Sequence, residues 1–461
     1  MHRHISFIQV AILSLVILAI SDVASTAEPL TIGVIGDQTG TADIDASYGY
    51  LQKGVDLLVQ KKAQIILHMG DLVESTKSND TIRANFDKAT SILNNSKLSW
   101  YLTAGDHDVN PVKYEPNSKD ETKKKFFQAL YAKLNKLVEN KLYYSFNVGE
   151  YHFISLFSCD NLHTDPRWGD IYLAKINDEQ LSWLSFDLSN YKESKGIIVF
   201  LHQPLWYNWS QWLPVHNILK KYPVSAVIAG HFHYPQDDML LDGIHYIVNG
   251  ACGGSLKQGN EISGGVYTVS TIEINGGNIS GKQYTVTDGH EIAYQQRQDM
   301  DRVQSMDYML DNIYMEPLAN GAKYIKGKAI VVDCRSLDKT FNLYYLGNPI
   351  NSALTISMKV LTPKITLSQP SSSIFTCISD TTRSDCTTDN YARIMQSNNS
   401  SVRFNYDCKL PPPAWSTGFL LQGKPQDYSR LEMKISSSFV SNGQKFELFR
   451  TILPDLKRCD Q

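Results

Sequence analysis

The sequence has no strong excess of charge of either sign. Its 461 residues include 44 lysines and arginines against 47 aspartates and glutamates, a formal net charge of −3 at pH 7. Proteins that coat nucleic acid carry a marked basic excess, and disordered chains combine high net charge with few apolar residues. Since 42% of these residues are hydrophobic, the composition indicates a folded protein and gives no support for a nucleic-acid partner.

A second long apolar run is absent as well. The one such run covers residues 5–20, between a basic start at residues 1–4 and small residues at 25–27. A membrane-spanning helix needs roughly 20 apolar residues, whereas a shorter run in this setting is typical of a secretory signal. We therefore expect residues 1–27 to be a signal peptide, the mature protein to be secreted or periplasmic, and no stable membrane span to remain.

Cysteine is scarce in the first two thirds of the chain, where only Cys159 and Cys252 occur. Such a distribution fits an oxidising compartment, in which disulfides could stabilise a modest C-terminal domain. The odd total leaves at least one cysteine unpaired, and the sequence does not fix the pairing. The five cysteines of the last third are Cys334, Cys377, Cys386, Cys408 and Cys459.

Predicted strands alternate with predicted helices over the first 290 residues. Apolar residues at every third or fourth position predict helices at residues 50–62 and 126–140. Such alternation is typical of a layered α/β domain, with central β-sheets flanked by helices. The strands are predicted from short apolar, β-branched runs at residues 30–35, 65–69, 100–103, 143–148, 151–157, 197–201, 226–229 and 245–248.

After residue 281 the helical pattern fades and the apolar runs become strand-like. We therefore predict a layered α/β domain over residues 28–295 and a C-terminal all-β, sandwich-like domain with disulfides over residues 296–461. The strands of this second domain are predicted at residues 329–332, 341–346, 354–360, 402–406, 431–435 and 446–453.

Carboxylate and imidazole side chains follow five of the predicted strands, in four cases directly after a glycine. Because the carboxyl ends of parallel strands meet at one edge of a sheet, we expect these side chains to converge. Carboxylates brought together would repel one another without cations, and a mixed set of imidazole and carboxylate ligands suits metals such as Zn, Fe and Mn. The sequence thus predicts a metal centre built from Asp37, Asp71, Asp106, His202, His231 and His233.

The order of these motifs resembles that of the calcineurin-like metallophosphoesterases, in particular the purple acid phosphatase-like branch. The resemblance covers roughly residues 30–290 and implies a layered metallophosphoesterase fold. It also implies two divalent or iron-type metal ions, of Fe, Mn or Zn, that cleave phosphate esters. The residues that carry it are Gly36-Asp37, Gly70-Asp71, Gly105-Asp106-His107-Asp108, His202 and Gly230-His231-Phe232-His233.

The resemblance further implies a role for each of these residues. His107 would protonate the leaving oxygen, and Asp108 would orient His107. The metal ligands it implies are Asp71 for both ions, Asp37 and His233 for the first, and Asp106, His202 and His231 for the second.

Three positions depart from the family pattern. Thr39 stands where a histidine ligand is usual, Asp106 stands where the family has asparagine, and Glu74 stands where purple acid phosphatases have a tyrosine ligand. Glu74 is therefore a candidate oxygen ligand of the first ion, and the alternative is an acid at the surface or behind the ligands. Without a tyrosine ligand the protein should not be purple.

Two classes of function are compatible with this pattern. The first is an exported phosphoesterase that acts on small-molecule phosphate monoesters, or alternatively a phosphodiesterase or nucleotide hydrolase of the same fold. The second is a degenerate, non-catalytic binding protein that keeps the fold but no longer assembles two ions. The presence of both His107 and Asp108 favours the enzyme, because a binding protein has no need for a positioned acid.

Overall fold

A computed structural model of the chain describes residues 29–41, 43–111, 121–165, 169–311, 314–317, 338–345, 354–362, 366–368, 375–377, 392–397, 401–406, 415–422 and 432–452. The predicted signal peptide lies outside these ranges, as do the side chains of all five C-terminal cysteines. Cys159 and Cys252 are buried free thiols. None of the helices in the described ranges is long and apolar enough to cross a bilayer.

Helices and strands alternate in the first part of the chain. The helices are α1 (Ile44–Gln60), α2 (Asn79–Asn95), α3 (Asp106–Val109), α4 (Thr122–Leu134), α5 (Asp178–Asn190), α6 (Trp209–Leu219) and α7 (Arg297–Asp311). The strands up to α7 are β1 (Leu30–Ile35), β2 (Ile65–His68), β3 (Ser99–Leu102), β4 (Tyr144–Val148), β5 (Tyr151–Ser155), β6 (Asn161–Asp165), β7 (Gly169–Leu173), β8 (Gly196–Phe200), β9 (Val224–Ala229), β10 (Gln236–Leu241), β11 (Ile244–Val248), β12 (Thr268–Asn275), β13 (Asn278–Thr285), β14 (Glu291–Ile292) and β15 (Gln295–Gln296).

Strands dominate the remainder. They are β16 (Tyr314–Pro317), β17 (Asp338–Tyr345), β18 (Leu354–Val360), β19 (Thr366–Ser368), β20 (Phe375–Cys377), β21 (Ala392–Ser397), β22 (Ser401–Tyr406), β23 (Trp415–Gln422), β24 (Met433–Ser441) and β25 (Gln444–Ile452).

Two sheets pack face to face in the first part of the chain. One has the strand order β14, β13, β12, β1, β2, β3, and the other β15, β10, β11, β9, β8, β5, β4. Between them lies an apolar core to which both contribute, for example Val34 and Leu67 from the first and Phe153 and Ile228 from the second. Removing this apolar surface from water is the main force that holds the sheets together.

Helices cover the outer faces of both sheets. Leu51 of α1 and Phe86 of α2 pack in one outer core, and Leu188 of α5 and Val215 of α6 pack in the other. Because both faces of each sheet are covered, the central strands β8 and β9 are buried along their whole length. The predicted layered α/β fold is confirmed.

The parallel strands set the position of the site. β1, β2 and β3 run parallel in the first sheet, and β5, β8, β9 and β11 run parallel in the second. Their carboxyl ends therefore meet at one edge of the two-sheet core. The predicted strands here agree with the observed ones to within about two residues, whereas the hairpins β6–β7 and β12–β13 were not predicted.

The C-terminal part is strand-rich, as predicted. One sheet has the order β16, β17, β23, β19 with β20 also paired to β23, and the other has the order β21, β22, β18, β24, β25. The predicted boundary at residue 295 falls in the short strand β15, and the division into two domains stays a prediction. The predicted strand at residues 329–332 lies outside the described residues.

Helix α7 was missed by the sequence analysis. It is polar on average, but Met300, Val303, Met306 and Leu310 are buried along one side. Their spacing of three or four residues is the helical signal, which was overlooked because strand-like runs dominate this part of the chain.

Candidate metal centre

Three carboxylates leave the first sheet at neighbouring strand ends. Asp37 follows β1, Asp71 follows β2, and Asp106 follows β3 as the first residue of α3. Asp37 and Asp71 have positive φ values of 55° and 56°, a left-handed conformation that aspartate tolerates better than most residues. Strained backbone of this kind is concentrated at functional sites. At Asp37 and Asp71, the backbone turn that directs the carboxylate therefore occurs at the aspartate itself.

Glycines directly before two of the predicted ligands, Asp106 and His231, leave room for neighbouring ligands. A Cβ atom on Gly105 would lie 2.1 Å from Oδ1 of Asp71, and one on Gly230 would lie 2.5 Å from Oδ2 of Asp37. A glycine at a strand end can supply the left-handed conformation of a sharp turn. Only Gly70 takes a left-handed φ, of 94°, so the need at Gly105 and Gly230 is space.

Three imidazoles reach the same place from the second sheet. His202 follows β8, and His231 and His233 follow β9. His231 and His233 also have positive φ values, of 72° and 64°. With Asp37 and Asp71, four of the six predicted ligands are therefore held in a backbone conformation that few non-glycine residues adopt.

Asp106, His202 and His231 form one compact group. Oδ1 of Asp106 lies 3.0 Å from Nε2 of His202 and 3.1 Å from Nδ1 of His231. The two imidazole nitrogens are 3.2 Å apart. These three donor atoms are close enough together to hold one metal ion.

Asp37, Asp71 and His202 form a second group with the geometry to hold an ion. All three are at least 99% buried. Oδ1 of Asp71 lies 3.4 Å from Nε2 of His202, and Oδ1 of Asp37 lies 3.9 Å from Nε2 of His233. The structure thus brings all six predicted side chains together, with His202 between the two groups.

Asp37 carries an atom that fits a metal ligand. Its Oδ1 accepts the backbone N–H of His231 at 2.8 Å, but its Oδ2 is buried and has no hydrogen-bond partner within the described part of the chain. A buried carboxylate oxygen without a partner is costly. A cation bound between the two sheets would supply that partner.

Burial and charge act against each other in these side chains. Burial raises the pKa of Asp37, and His233 and His202 offset only part of this rise. Burial also raises the pKa of Asp106, but His231 and His202 outweigh it and hold that pKa well below its usual range. The carboxylates therefore need positive charge beside them, and bound cations would provide it.

Backbone carbonyls hold two of the imidazole rings. Nδ1 of His202 donates to the carbonyl of Met69 at 2.7 Å, and Nδ1 of His233 donates to the carbonyl of Ser255 at 2.5 Å. Both rings then present Nε2 to the centre as an acceptor, which is the arrangement a metal ligand requires. Met69 and Ser255 could not be predicted from the sequence, because they act through backbone carbonyls, which every residue type carries.

His68 and Gln38 form a further contact that was not predicted. Nε2 of His68 lies 2.5 Å from Oε1 of Gln38, the residue that follows Asp37 in the sequence. Nδ1 of His68 accepts the N–H of Gly70 at 3.2 Å. Burial lowers the pKa of His68 to about 3, so the ring is neutral and supports the chain behind Asp37 and Asp71. Its signal in the sequence was a histidine inside an apolar strand.

Glu74 holds the ring of His107. Oε2 of Glu74 lies 2.8 Å from Nδ1 of His107, and the N–H of His107 donates to Oδ1 of Asp71 at 3.0 Å. Burial lowers the pKa of His107, but the negative charges of Asp71, Glu74 and Asp106 outweigh burial and raise this pKa to about 10. Glu74 is outside both metal-compatible groups of the described residues.

Asp108 has a different task from the one predicted. Its carboxylate accepts three backbone N–H groups, from Asp71 at 2.9 Å, Val73 at 2.9 Å and Gly105 at 2.8 Å. The acid that orients the His107 ring is therefore Glu74 and not Asp108. Asp108 instead ties the turns after β2 and β3 to each other, which positions two of the predicted ligands.

Thr39 lies beside the centre, where the family pattern has histidine. It is buried, and its Oγ1 has no hydrogen-bond partner among the described residues. Among the described residues no imidazole replaces the missing ligand at this position, so the first group has fewer nitrogen donors than the family pattern.

A family model matches the part of the chain that carries the predicted metal ligands. Residues 15–235 match the family model described as calcineurin-like phosphoesterase. Tartrate-resistant acid phosphatase type 5 of Oryctolagus cuniculus is 27% identical over 210 residues, which cover 41% of this chain and 61% of that protein. The enzyme of the same name from Homo sapiens is similar to the same extent. The chain thus spans about three fifths of the length of these relatives.

A solved structure shows a similar arrangement at low identity. A dimetal phosphatase from Danio rerio is 13% identical, with a TM-score of 0.43, and the match covers 58% of this chain and 99% of that protein.

Proposed function

We propose that this chain, whose residues 15–235 match the calcineurin-like phosphoesterase family model, is a metal-dependent hydrolase of phosphate monoesters that acts outside the cytoplasm. The observation that carries the proposal is the convergence of three carboxylates and three imidazoles from two sheets. Two adjoining groups of donors are suited to a pair of ions.

The same residues define how the ions would be held. Asp37 and His233 would bind the first ion, Asp106, His202 and His231 the second, and Asp71 both. When bound, such ions would stabilise the charge of a phosphate group and make water reactive near neutral pH. Iron, manganese and zinc all suit this mixture of nitrogen and oxygen donors.

His107 is the proposed acid for the leaving group. Its ring is 19% exposed and lies at the edge of the centre, paired with Glu74. The negative charge of Glu74 raises the pKa of this ring, which favours its protonated form. A protonated imidazole there would donate its Nε2 proton to the leaving oxygen, while Glu74 keeps hold of Nδ1.

Monoester preference is supported by the names of the relatives, which are acid phosphatases. The cleft above the centre has a volume of about 510 Å³, within the usual range for small-molecule sites. Export is supported by the predicted signal peptide at residues 1–27.

A comparison of hydrolysis rates tests this function. The full chain, stripped of metal and then reloaded separately with Fe, Mn or Zn, is assayed with 4-nitrophenyl phosphate and with bis(4-nitrophenyl) phosphate. We expect metal-dependent hydrolysis with a higher kcat/KM for the monoester. A higher value for the diester would instead establish a phosphodiesterase.

One observation favours a second candidate function, a non-catalytic binding protein. Thr39 supplies no imidazole where the family has one, and Asp106 adds a negative charge where the family has a neutral amide. Both changes would weaken a productive pair of ions. Absence of hydrolysis with every metal would favour this alternative.

A further inference from the structure

The C-terminal part of the chain docks directly beside the metal centre. Strand β25 runs along the segment that follows Ser255, where the N–H of Phe449 donates to the carbonyl of Gln258 at 2.7 Å and the N–H of Asn260 donates to that of Glu447 at 2.9 Å. These backbone bonds fix the register of the two segments. The side chains of β25 are thereby placed relative to the centre.

The docked elements form one wall of the cleft above the metal centre. His107, His231 and His233 of the metal centre line the cleft. Gln304 and Asp307 of α7 and Arg450 of β25 line it as well, together with Lys257. A molecule bound at the metals would therefore face residues from the C-terminal part.

Three charged side chains of this wall contact one another. Nζ of Lys257 lies 2.8 Å from Oδ2 of Asp307 and 3.0 Å from Oε1 of Gln304, and the Arg450 guanidinium donates to Oδ1 of the same Asp307. All three charged side chains are no more than 20% exposed. Together they sum to a formal charge of +1 in a partly desolvated position, where an anion is attracted more strongly than at an open surface.

We propose that Lys257 and Arg450 form a subsite for a second anionic group of the substrate, while the scissile phosphate sits at the metals. The preferred substrates are then phosphate esters that carry a further phosphate or carboxylate. Asp307 positions the two cations and neutralises one of them. This inference rests on the proposed function for the identity of the first group, but the subsite itself can be tested by binding.

The test measures binding of non-hydrolysable probes to the full chain as purified with its metals. Methylphosphonate carries one anionic group, and alkane bisphosphonates with two, three, four and five carbons between phosphorus atoms carry two at increasing separation. Isothermal titration calorimetry gives a dissociation constant for each. We expect at least one bisphosphonate to bind about tenfold more tightly than methylphosphonate, the effect of one added charge-assisted hydrogen bond.

Three variants locate the effect. R450Q and K257Q each remove one cation of the subsite, and each should reduce the ratio of the two dissociation constants about tenfold. K445Q is the matched control, because Lys445 lies on the same strand but is 56% exposed and pairs with Glu447. It should leave the ratio unchanged. If R450Q fails to fold, K257Q carries the test, since Lys257 lies outside β25.

The outcomes separate this inference from the proposed function. Equal affinity for all probes, or a ratio that R450Q and K257Q leave unchanged while lowering Tm, overturns the subsite and leaves a purely structural ion pair. Loss of the ratio in both variants supports it. Rates with 4-nitrophenyl phosphate are measured in parallel, so a chain that binds bisphosphonates but hydrolyses nothing would retain the subsite and refute the phosphatase.

Discussion

Oε2 of Glu74 lies 2.8 Å from Nδ1 of His107. The resemblance places Glu74 where purple acid phosphatases carry a tyrosine ligand, and its carboxylate is turned to the proposed acid. A carboxylate in this place holds the ring and favours its protonated form. We therefore expect Glu74 to influence how the leaving group is protonated.

An E74Q variant should act on the pH profile of hydrolysis. Glutamine keeps the volume but loses the negative charge, so the pKa of His107 falls and the basic limb of the kcat profile moves to lower pH. We expect kcat for an alkyl phosphate to fall about tenfold, and less for 4-nitrophenyl phosphate, whose leaving group needs little protonation. E193Q, at a fully exposed glutamate, is the control. An unshifted basic limb would refute this role.

Asp108 should matter for stability and for metal retention. In D108N one carboxylate oxygen becomes an NH₂ group, which cannot accept a hydrogen bond, so either the N–H of Val73 or those of Asp71 and Gly105 lose their acceptor. A buried donor left without its acceptor costs about 1–3 kcal/mol. Urea unfolding should show a loss of that size together with weaker metal binding. Wild-type stability with a shifted pH profile would instead support the role first predicted for Asp108.

Space at Gly105 should be required for activity. In G105A the new Cβ would lie 2.1 Å from Oδ1 of Asp71, so the carboxylate has to move. A displacement of about 1 Å at a catalytic centre can lower the rate on the order of a hundredfold, and we expect at least that loss in kcat/KM. G49A is the matched control, because a Cβ on Gly49, inside α1, meets nothing within 4 Å. Full activity in G105A would contradict the geometry.

Much of the fold and of the site follows from the sequence. Buried parallel strands consist of apolar, β-branched residues, so β1, β8 and β9 are visible as runs, and convergence of the side chains after them follows from parallel topology. The partner of His107 could not be predicted in this way. It depends on the left-handed turn at Asp71, which the residue types alone do not specify.

The residues that come together in the cleft wall could not be predicted from the sequence either. Arg450 and Lys257 are 193 residues apart in the sequence. They line the same cleft only because β25 and α7 pack beside the two sheets of the first part of the chain. Sequence spacing carries no signal for such a contact. Helix α7, which carries Asp307 and Gln304 of this wall, was not predicted either.

A pH effect on stability is expected at Asp238, which follows the proposed ligand His233 by five residues. Burial raises the pKa of Asp238 to about 6, against the opposing effect of hydrogen bonds from Trp206 and Tyr207. The folded state then holds its proton more tightly than the unfolded state, so stability falls as the pH rises from about 4 to about 6 and is constant above that.

The D238N variant isolates this contribution. Asparagine does not titrate, so the difference in unfolding free energy between D238N and the wild type should shift in favour of the variant between pH 4 and pH 7. The pKa shift from 3.8 to about 6 limits the change to about 3 kcal/mol. Chemical unfolding at both pH values measures it, and a difference that does not vary with pH would contradict the raised pKa.

The most direct test of the whole account is the number of metal ions per chain. Elemental analysis by mass spectrometry is applied to the wild type, to H202A and to the control H163A, whose histidine is exposed on β6. Because His202 is a proposed ligand of the second ion, beside Asp106 and His231, we predict two ions in the wild type and in H163A and at most one in H202A. A wild type that holds no ion after loading with Fe, Mn or Zn, or an H202A variant that retains two, would contradict the account.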